Sequence, residues 1–285
     1  MMRIGGHDRA LFASDVHLDD RHPATARHFF DALAHASSDT THLFLLGDLF
    51  EYWVGDDQPG ATVDAAIALL HALSAGGVAV YVMRGNRDFL LDRGTPAHAG
   101  IGFAARTGAQ MLPDPTVVEL FGTSTLLLHG DTLCTADLAY QNFRELARTT
   151  RWQDAFLHHS LAERIEQARE LREQSERSKA GKRAEWMNVT PEAVSAAALA
   201  SGVHTLIHGH THRPACHRTP THAGELVRWV LPDWYAPDEA ADPDSDPSQR
   251  GGFLQVSAQG WERIGVWPAL SSAEALAGIT PARQS

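Results

Sequence analysis

The 285-residue chain has only two cysteines, Cys134 and Cys216. Two isolated cysteines give neither a disulfide framework nor the paired spacing of a thiolate zinc site, so both are expected to be free thiols. No apolar run approaches the roughly 18 residues that span a bilayer. The opening stretch MMRIGGHDRALFASDVH holds one short apolar patch and then metal-competent residues. It does not read as a cleaved signal peptide, and a cytoplasmic location is expected. Positive charge is also in deficit: 24 Lys and Arg against 35 Asp and Glu leave a formal net charge of −11. That balance argues against a general nucleic-acid binder. Internal repeats are absent. The 44% hydrophobic content is ordinary for a globular protein, and the length suffices for one large domain with an inserted cap.

Histidine, by contrast, is plentiful, with 17 residues. Some, such as His35 and His71 inside helical patterns, are expected on the surface. Three crowd into LIHGHTHRP, residues 206–214, as His208, His210 and His212. Imidazole is the commonest metal ligand, and alternate residues of an extended segment point to one side. The run asks how many of its histidines hold metal. Any further ligands must come from elsewhere in the chain.

Short apolar runs recur at 10–14, 42–46, 78–83, 125–128 and 204–207, with helix-like spacing at 23–38 and 61–76. This alternation predicts α/β layering. The runs VVEL, ELVRWVL, GFLQVS and ERIGVW crowd together without helices and predict a second, mostly antiparallel group of strands. The expected architecture is α/β, a four-layer αββα sandwich of two facing mixed sheets with flanking helices. It forms a single domain over 1–267, followed by a tail over 268–285. Residues 136–187 break the alternation and are rich in good helix formers, so they read as an inserted cap of two or three helices. Residues 236–250, APDEAADPDSDPSQR, read as a mobile loop.

Each apolar run ends in polar residues: Asp15-Val16-His17, Gly47-Asp48, Gly85-Asn86-Arg87-Asp88, His129-Gly130-Asp131 and His208-Gly209-His210. The carboxyl ends of strands are where an α/β sheet places a site. Asp15 and His17, two residues apart, can reach one ion, and the carboxylate of Asp48 can bridge two cations. Taken singly, each fragment is commonplace, since Asp-x-His arises by chance and Asp after Gly is usually a turn. Five such fragments in this order are not.

That order resembles the calcineurin-like metallophosphoesterases over residues 10–215. The resemblance implies two divalent ions, most often Mn²⁺. It assigns one ion to Asp15, His17, Asp48 and His210, and the other to Asp48, Asn86, His129 and His208, with Asp48 as the bridge. His212 is left as an outer, hydrogen-bonding position. Two cations about 3.5–4 Å apart generate hydroxide from water near neutral pH and neutralise phosphate oxygens as charge builds, so no enzyme nucleophile is needed. The implied catalytic set is Asp48, Asn86, Arg87 and His129.

Many members of that superfamily carry histidine after the asparagine, whereas this chain has Arg87. A guanidinium is a poor general acid but a good bidentate grip on phosphate. This favours a substrate with more than one phosphate, or a leaving group that needs no proton. The runs SDVHL, LLGDLFEYWVGDD, RGNRDFLL, LLHGDTLCTAD and HGHTHRPA resemble the bacterial UDP-2,3-diacylglucosamine pyrophosphatase family of lipid A biosynthesis. That resemblance implies cleavage to UMP and 2,3-diacylglucosamine 1-phosphate, with attack on the α-phosphorus. It also implies substrate contacts from Asn86, Arg87, Asp137, Tyr140, Ser175, Lys179, Lys182 and His208.

In the cap, Leu157, Leu161, Ile165, Ala168 and Leu171 recur at helical spacing. The plain reading is packing on a neighbouring helix; the sharper one is a groove for acyl chains. Arg164, Arg169, Arg172, Arg177, Lys179, Lys182 and Arg183 form a local basic cluster, interleaved with glutamates that can pair with it. Stripe and cluster together predict peripheral attachment to the cytoplasmic face of the inner membrane. No obligate protein partner is expected. The rival readings are a phosphodiesterase or phosphatase of other specificity, and a non-catalytic scaffold, which should have lost ligands.

Overall fold

The computed structural model describes residues 1–95, 102–179, 188–222, 224–236, 239, 250–265 and 273–274, with the side chains of 175–179 and 273–274 excepted. Strands β2 (Arg9–Ala13), β3 (His42–Leu46) and β4 (Ala79–Met83) lie parallel and adjacent. Their residues beyond the first are all buried, as expected of parallel strands covered on both faces. Helices α1 (Pro23–Ala36) and α2 (Ala61–Ala75) connect them. Alternation then sorts the side chains. Leu11, Ala13, Leu43, Leu45, Val80 and Val82 face Phe29, Leu33, Ile67 and Leu70 of the helices. Phe12, Phe44, Leu46, Tyr81 and Met83 face the other sheet.

The full order of the seven-stranded sheet is β13-β12-β11-β2-β3-β4-β5, with β5 at Gln110–Leu112, β11 at Phe253–Ser257, β12 at Gly260–Ile264 and β13 at Ala273–Glu274. The six-stranded sheet runs β1-β6-β7-β8-β10-β9. Its strands are β1 (Met2–Ile4), β6 (Thr116–Leu120), β7 (Thr123–Leu127), β8 (Thr205–His208), β9 (Ala215–Thr221) and β10 (Gly224–Val230). Val194 and Ala198 of helix α7 (Pro191–Ser201) cover its outer face, against Leu126, Leu128, Leu206 and Leu226. The layers are therefore helix, sheet, sheet, helix, as expected.

One expectation fails. The late strands do not form a group of their own. β6 and β10 belong to the six-stranded sheet, while β11 and β12 extend the other one by antiparallel pairing on β2. The runs at 125–128 and 204–207 also leave the α/β series and build the six-stranded sheet, as β7 and β8. Apolar alternation marks a strand and its faces but carries no record of its neighbour.

The described part of the cap holds three helices, α4 (Leu138–Ala147), α5 (Thr150–Leu157) and α6 (Leu161–Lys179), and a short α3 (Phe103–Thr107) precedes β5. Side chains of α4 and α5 start both helices by self-capping: Asp137 accepts from Tyr140 N–H, and Thr149 from Trp152 N–H. The loop expected at 236–250 and the tail at 268–285 lie outside the described residues, apart from Ala236, Glu239, Arg250, Ala273 and Glu274.

The rings of Phe12, Phe44 and Tyr81 stack across the inner face, at centroid separations of 4.7 Å and 4.8 Å. Replacing Phe44 by Ala would open a void in the centre of this stack. The expected loss is about 3–5 kcal/mol, read from the urea midpoint of the variant against the parent.

Candidate metal centre

Both sheets end at the same edge of the molecule, and the polar residues gather there. Asp15, Asp48, His129 and His210 each follow the last residue of a strand (Ala13, Leu46, Leu127 and His208) by two positions. Asn86 follows Met83 by three. The backbone past β2 and β3 stays paired, with Asp15 N–H donating to Gly47 O at 3.0 Å and His17 N–H to Asp48 O at 3.0 Å. Asp15, His17, Asp48, His210 and His212 all have positive φ, between 52° and 67°. For residues other than glycine each costs about 1–3 kcal/mol, and such strain clusters at functional sites. Gly85 and Gly209 permit the close approach: a Cβ at Gly85 would collide with the Asp48 carboxylate, and one at Gly209 with Asp15 and Ser14.

Two groups of metal-competent atoms form. The first is Asp15, His17 and His212, and the second is Asp15, Asp48 and His129. His17 Nε2 and His212 Nε2 face each other at 3.2 Å. His129 Nε2 and His210 Nδ1 converge on Asn86 Oδ1 at 2.9 Å and 2.8 Å. His129 Nδ1–H donates to Leu46 O at 2.9 Å, which leaves Nε2 to face the site. Asp15 Oδ1 is buried without a hydrogen-bond donor, 3.4 Å from His212 Nε2.

The electrostatics suit cations. Burial holds His17 and His210 down at about 3, so their ring nitrogens keep lone pairs at neutral pH. Burial also disfavours charge on His129, yet Asp48, Asp15 and Asp131 together raise it to about 9. Its surroundings thus call for positive charge. Burial opposes ionisation of Asp15 too, but the neighbouring His212, His129 and His17 keep its carboxyl well below the usual range. Neutral imidazoles, an orphaned carboxylate oxygen and an amide oxygen in one buried cluster fit divalent cations of the Mn²⁺, Fe or Zn²⁺ type.

The structure places the three histidines of LIHGHTHRP differently from the sequence reading. His208 is the last residue of β8, not the first beyond it. It shares a face with Leu206, which packs toward α7. Its Nδ1–H donates to Gly209 O at 2.8 Å, and its Nε2 accepts from Arg228 at 2.9 Å. Both ring nitrogens are engaged in these contacts, so in this structure His208 faces Arg228 and not the cluster. The two positions move along by one alternation: His210 lies with Asn86 and His129, and His212, set aside in the sequence reading, lies with Asp15 and His17. Asp15 falls in both groups and Asp48 in the second.

Sequence reading also left Glu51, Asp88 and Asp131 without roles, although all three stand in the quoted runs. Asp88 accepts the N–H groups of Asp48 (3.3 Å), Leu49 (2.8 Å), Phe50 (3.3 Å) and Gly85 (2.7 Å), clamping the turns after β3 and β4 together. Asp131 receives Tyr140 O–H at 2.5 Å and Arg144 Nε at 2.7 Å, which ties α4 to the site. The Tyr140 ring lies 6.1 Å from that of His210. Asp137 caps α4, and Arg87 sits half-exposed beside the site with its N–H donating to Asp48 Oδ1 at 2.7 Å. Ser175 and Lys179 lie on α6 without described side chains, and Lys182 and Arg183 lie outside the described residues.

Among the described side chains of the cap's basic cluster, all three arginines are engaged in ion pairs. Arg164 is buried, paired with Asp57 and with the carbonyl of Val54. Arg169 pairs with Glu166 and Glu173, and Arg172 with Glu51. The apolar stripe is divided too: Leu157 ends α5 and is buried, Leu161 and Ala168 pack on the core, and Ile165 is exposed. Burial raises Cys134 to about 12, so this free thiol is no nucleophile.

The sequence pattern of the calcineurin-like phosphoesterases matches residues 9–214, and the chain belongs to that family. Its relatives narrow the comparison. UDP-2,3-diacylglucosamine hydrolase of Stenotrophomonas maltophilia is 42% identical over 258 residues, covering 88% of this chain and 96% of that protein. The hydrolase of the same description from Xanthomonas campestris pv. campestris is 42% identical over 243 residues, covering 83% of this chain and 95% of that one.

The three histidines should separate in a metal-binding measurement. His210→Ala and His212→Ala are each expected to lose at least one bound Mn²⁺ per chain. His208→Ala should keep the parent's stoichiometry by elemental analysis. Metal loss confined to His208→Ala would return the ligand role to that residue.

Proposed function

We propose that this chain hydrolyses the pyrophosphate bond of UDP-2,3-diacylglucosamine, giving UMP and 2,3-diacylglucosamine 1-phosphate. The observation that carries the reading is the convergence of Asp15, His17, Asp48, Asn86, His129, His210 and His212 on one buried edge, with Arg87 beside it. The substrate follows from the 42% identity to hydrolases of that description.

Two divalent cations, in our reading Mn²⁺, would be held one by Asp15, His17, Asp48 and His212, the other by Asp48, Asn86, His129 and His210. In this reading Asp48, whose carboxylate lies 3.7 Å from His129 Nε2, takes the bridging place, and Asp15, which falls in both groups of metal-competent atoms, stays with His17 and His212. When bound, the cations supply Lewis acidity toward water and toward the phosphate oxygens. The protein's own part is orientation. Asp88 and Asp131 fix the turns that carry Asp48, Asn86 and His129, and Arg87 presents a permanent cation to the pyrophosphate. Water oxygen joins the α-phosphorus as the bond to the bridging oxygen breaks. The leaving phosphate needs no proton, so Arg87 can stand where a general acid would otherwise be required. Asp137, Tyr140, Ser175, Lys179 and Lys182 are the cap's contributions to substrate binding.

Among the described residues no helix is long and apolar enough to cross a membrane. We assign peripheral attachment to the inner membrane's cytoplasmic face, supported by the exposed Leu138 and Leu146 of α4 and Ile165 of α6.

Purified protein supplied with Mn²⁺ should release UMP from UDP-2,3-diacylglucosamine. In ¹⁸O-labelled water the label should enter UMP; comparable turnover of cyclic AMP would redirect the assignment. Asp48→Ala should abolish turnover, and Arg87→Ala should slow it on the order of 100-fold while bound metal is unchanged. For the membrane, Leu138→Ser combined with Leu146→Ser should reduce co-sedimentation with anionic vesicles. Failure of the parent protein to sediment with them at low salt would remove the attachment.

A further inference from the structure

Glu51 stands among the metal-competent residues, on the segment after β3, yet belongs to neither group of ligands. Its carboxylate is fully buried. Four side chains from separate parts of the chain meet it. His17 Nδ1 lies 2.8 Å from Oε2, and Tyr235 O–H donates to the same oxygen at 2.8 Å. On the other side, Arg172 of cap helix α6 contacts Oε1 directly, and Arg87 Nη1 lies 3.9 Å away. The Tyr235 ring also stacks on the His17 imidazole, with centroids 5.1 Å apart and planes 9° from parallel. Stack and carboxylate together set the ring of His17. Nδ1 turns toward Glu51, and Nε2 is left facing His212.

A carboxylate buried this deeply persists only where cations and donors compensate it. Here one compensating cation comes from the cap, and one contacting group is an imidazole of the metal centre. The two are joined through one rigid carboxylate. Its own backbone is held as well, by Glu51 N–H donating to Leu18 O at 3.1 Å.

We propose that Glu51 is a positioning residue through which the cap controls the metal centre. One oxygen holds Arg172 and the other orients His17, so the docking of α6 sets the ligand geometry at the ion that His17 serves. This rests on the metal reading given above. Arg172 then has two consequences for one contact: it fastens the cap, and it keeps the charge of Glu51 from being drawn wholly to Arg87. Tyr235 completes the arrangement from the segment after β10, where its neighbours Trp234 and Ala236 pack against α1.

The test is Mn²⁺ binding, followed by the resonance of the free ion and independent of turnover, in parent protein, Glu51→Gln, Arg172→Met, the double variant and Tyr235→Phe. Melting curves would show which variants are folded. The parent should bind two ions. Glu51→Gln should weaken one of the two sites about 10–100-fold and leave the other alone. Arg172→Met, which touches no ligand, should weaken that same site by about threefold or more, and the double variant should be no weaker than Glu51→Gln alone. Tyr235→Phe keeps the ring stack and should shift the same site in the same direction, so it carries the test if Glu51→Gln does not fold. Affinities within about twofold of the parent in Arg172→Met and Tyr235→Phe, or additive losses in the double variant, would overturn the proposal. A parent protein that binds no Mn²⁺ would instead overturn the metal reading, and this coupling with it.

Discussion

Five carboxylates, those of Asp15, Asp48, Glu51, Asp88 and Asp131, are buried together where the two sheets end. The rest of the structure is arranged around that constraint. Like charges taken out of water are costly unless each is met by donors or cations. The chain meets them in three ways. Backbone N–H groups converge on Asp88, arginines and tyrosines reach Glu51 and Asp131, and imidazoles surround Asp15 and Asp48. The last compensation is incomplete, as the orphaned Asp15 oxygen and the elevated His129 both record. Divalent cations are the natural remainder.

The same constraint explains the local backbone. Side chains that must converge from β2, β3 and β8 cannot all continue along their strands, so the chain turns sharply just past each end. Asp15, Asp48 and His210 pay for that turn with left-handed conformations. Glycines at 85 and 209 supply the room that side chains would fill. Asp88 holds two of these turns at fixed separation, which makes it a framework residue for the centre rather than a member of it.

Charge as well as apolar packing joins cap and core. Arg164 runs into Asp57 and Val54, Arg144 into Asp131, Arg172 into Glu51, and Arg148 donates to Gly85 O at 2.8 Å. Three of these contacts end on residues or turns of the metal centre. Two arginines of the row that reads as a basic cluster in sequence, Arg164 and Arg172, are therefore fasteners, while Arg169 pairs along its own helix. Among the cap's exposed side chains are the large apolar ones of Leu138, Leu146 and Ile165.

The sequence by itself determined the strands and helices of the α/β series, the helical nature of the cap, and six of the seven residues that converge. Apolar alternation and the polar residue after each run are local properties, and the order of the motifs carried the family. Three matters depend on the tertiary structure. Sheet membership of β6, β7, β8, β10, β11 and β12 depends on non-local pairing, which a strand's own pattern does not encode. The choice among His208, His210 and His212 turned on whether β8 ends at residue 207 or 208. A shift of one residue moves an imidazole to the other face of the sheet, and only hydrogen bonds to Arg228 and Gly209 reveal which way it went. The role of Glu51 was invisible for a related reason. His17, Arg87, Arg172 and Tyr235 are distant in sequence, and only the packing of cap on core brings them to one carboxylate.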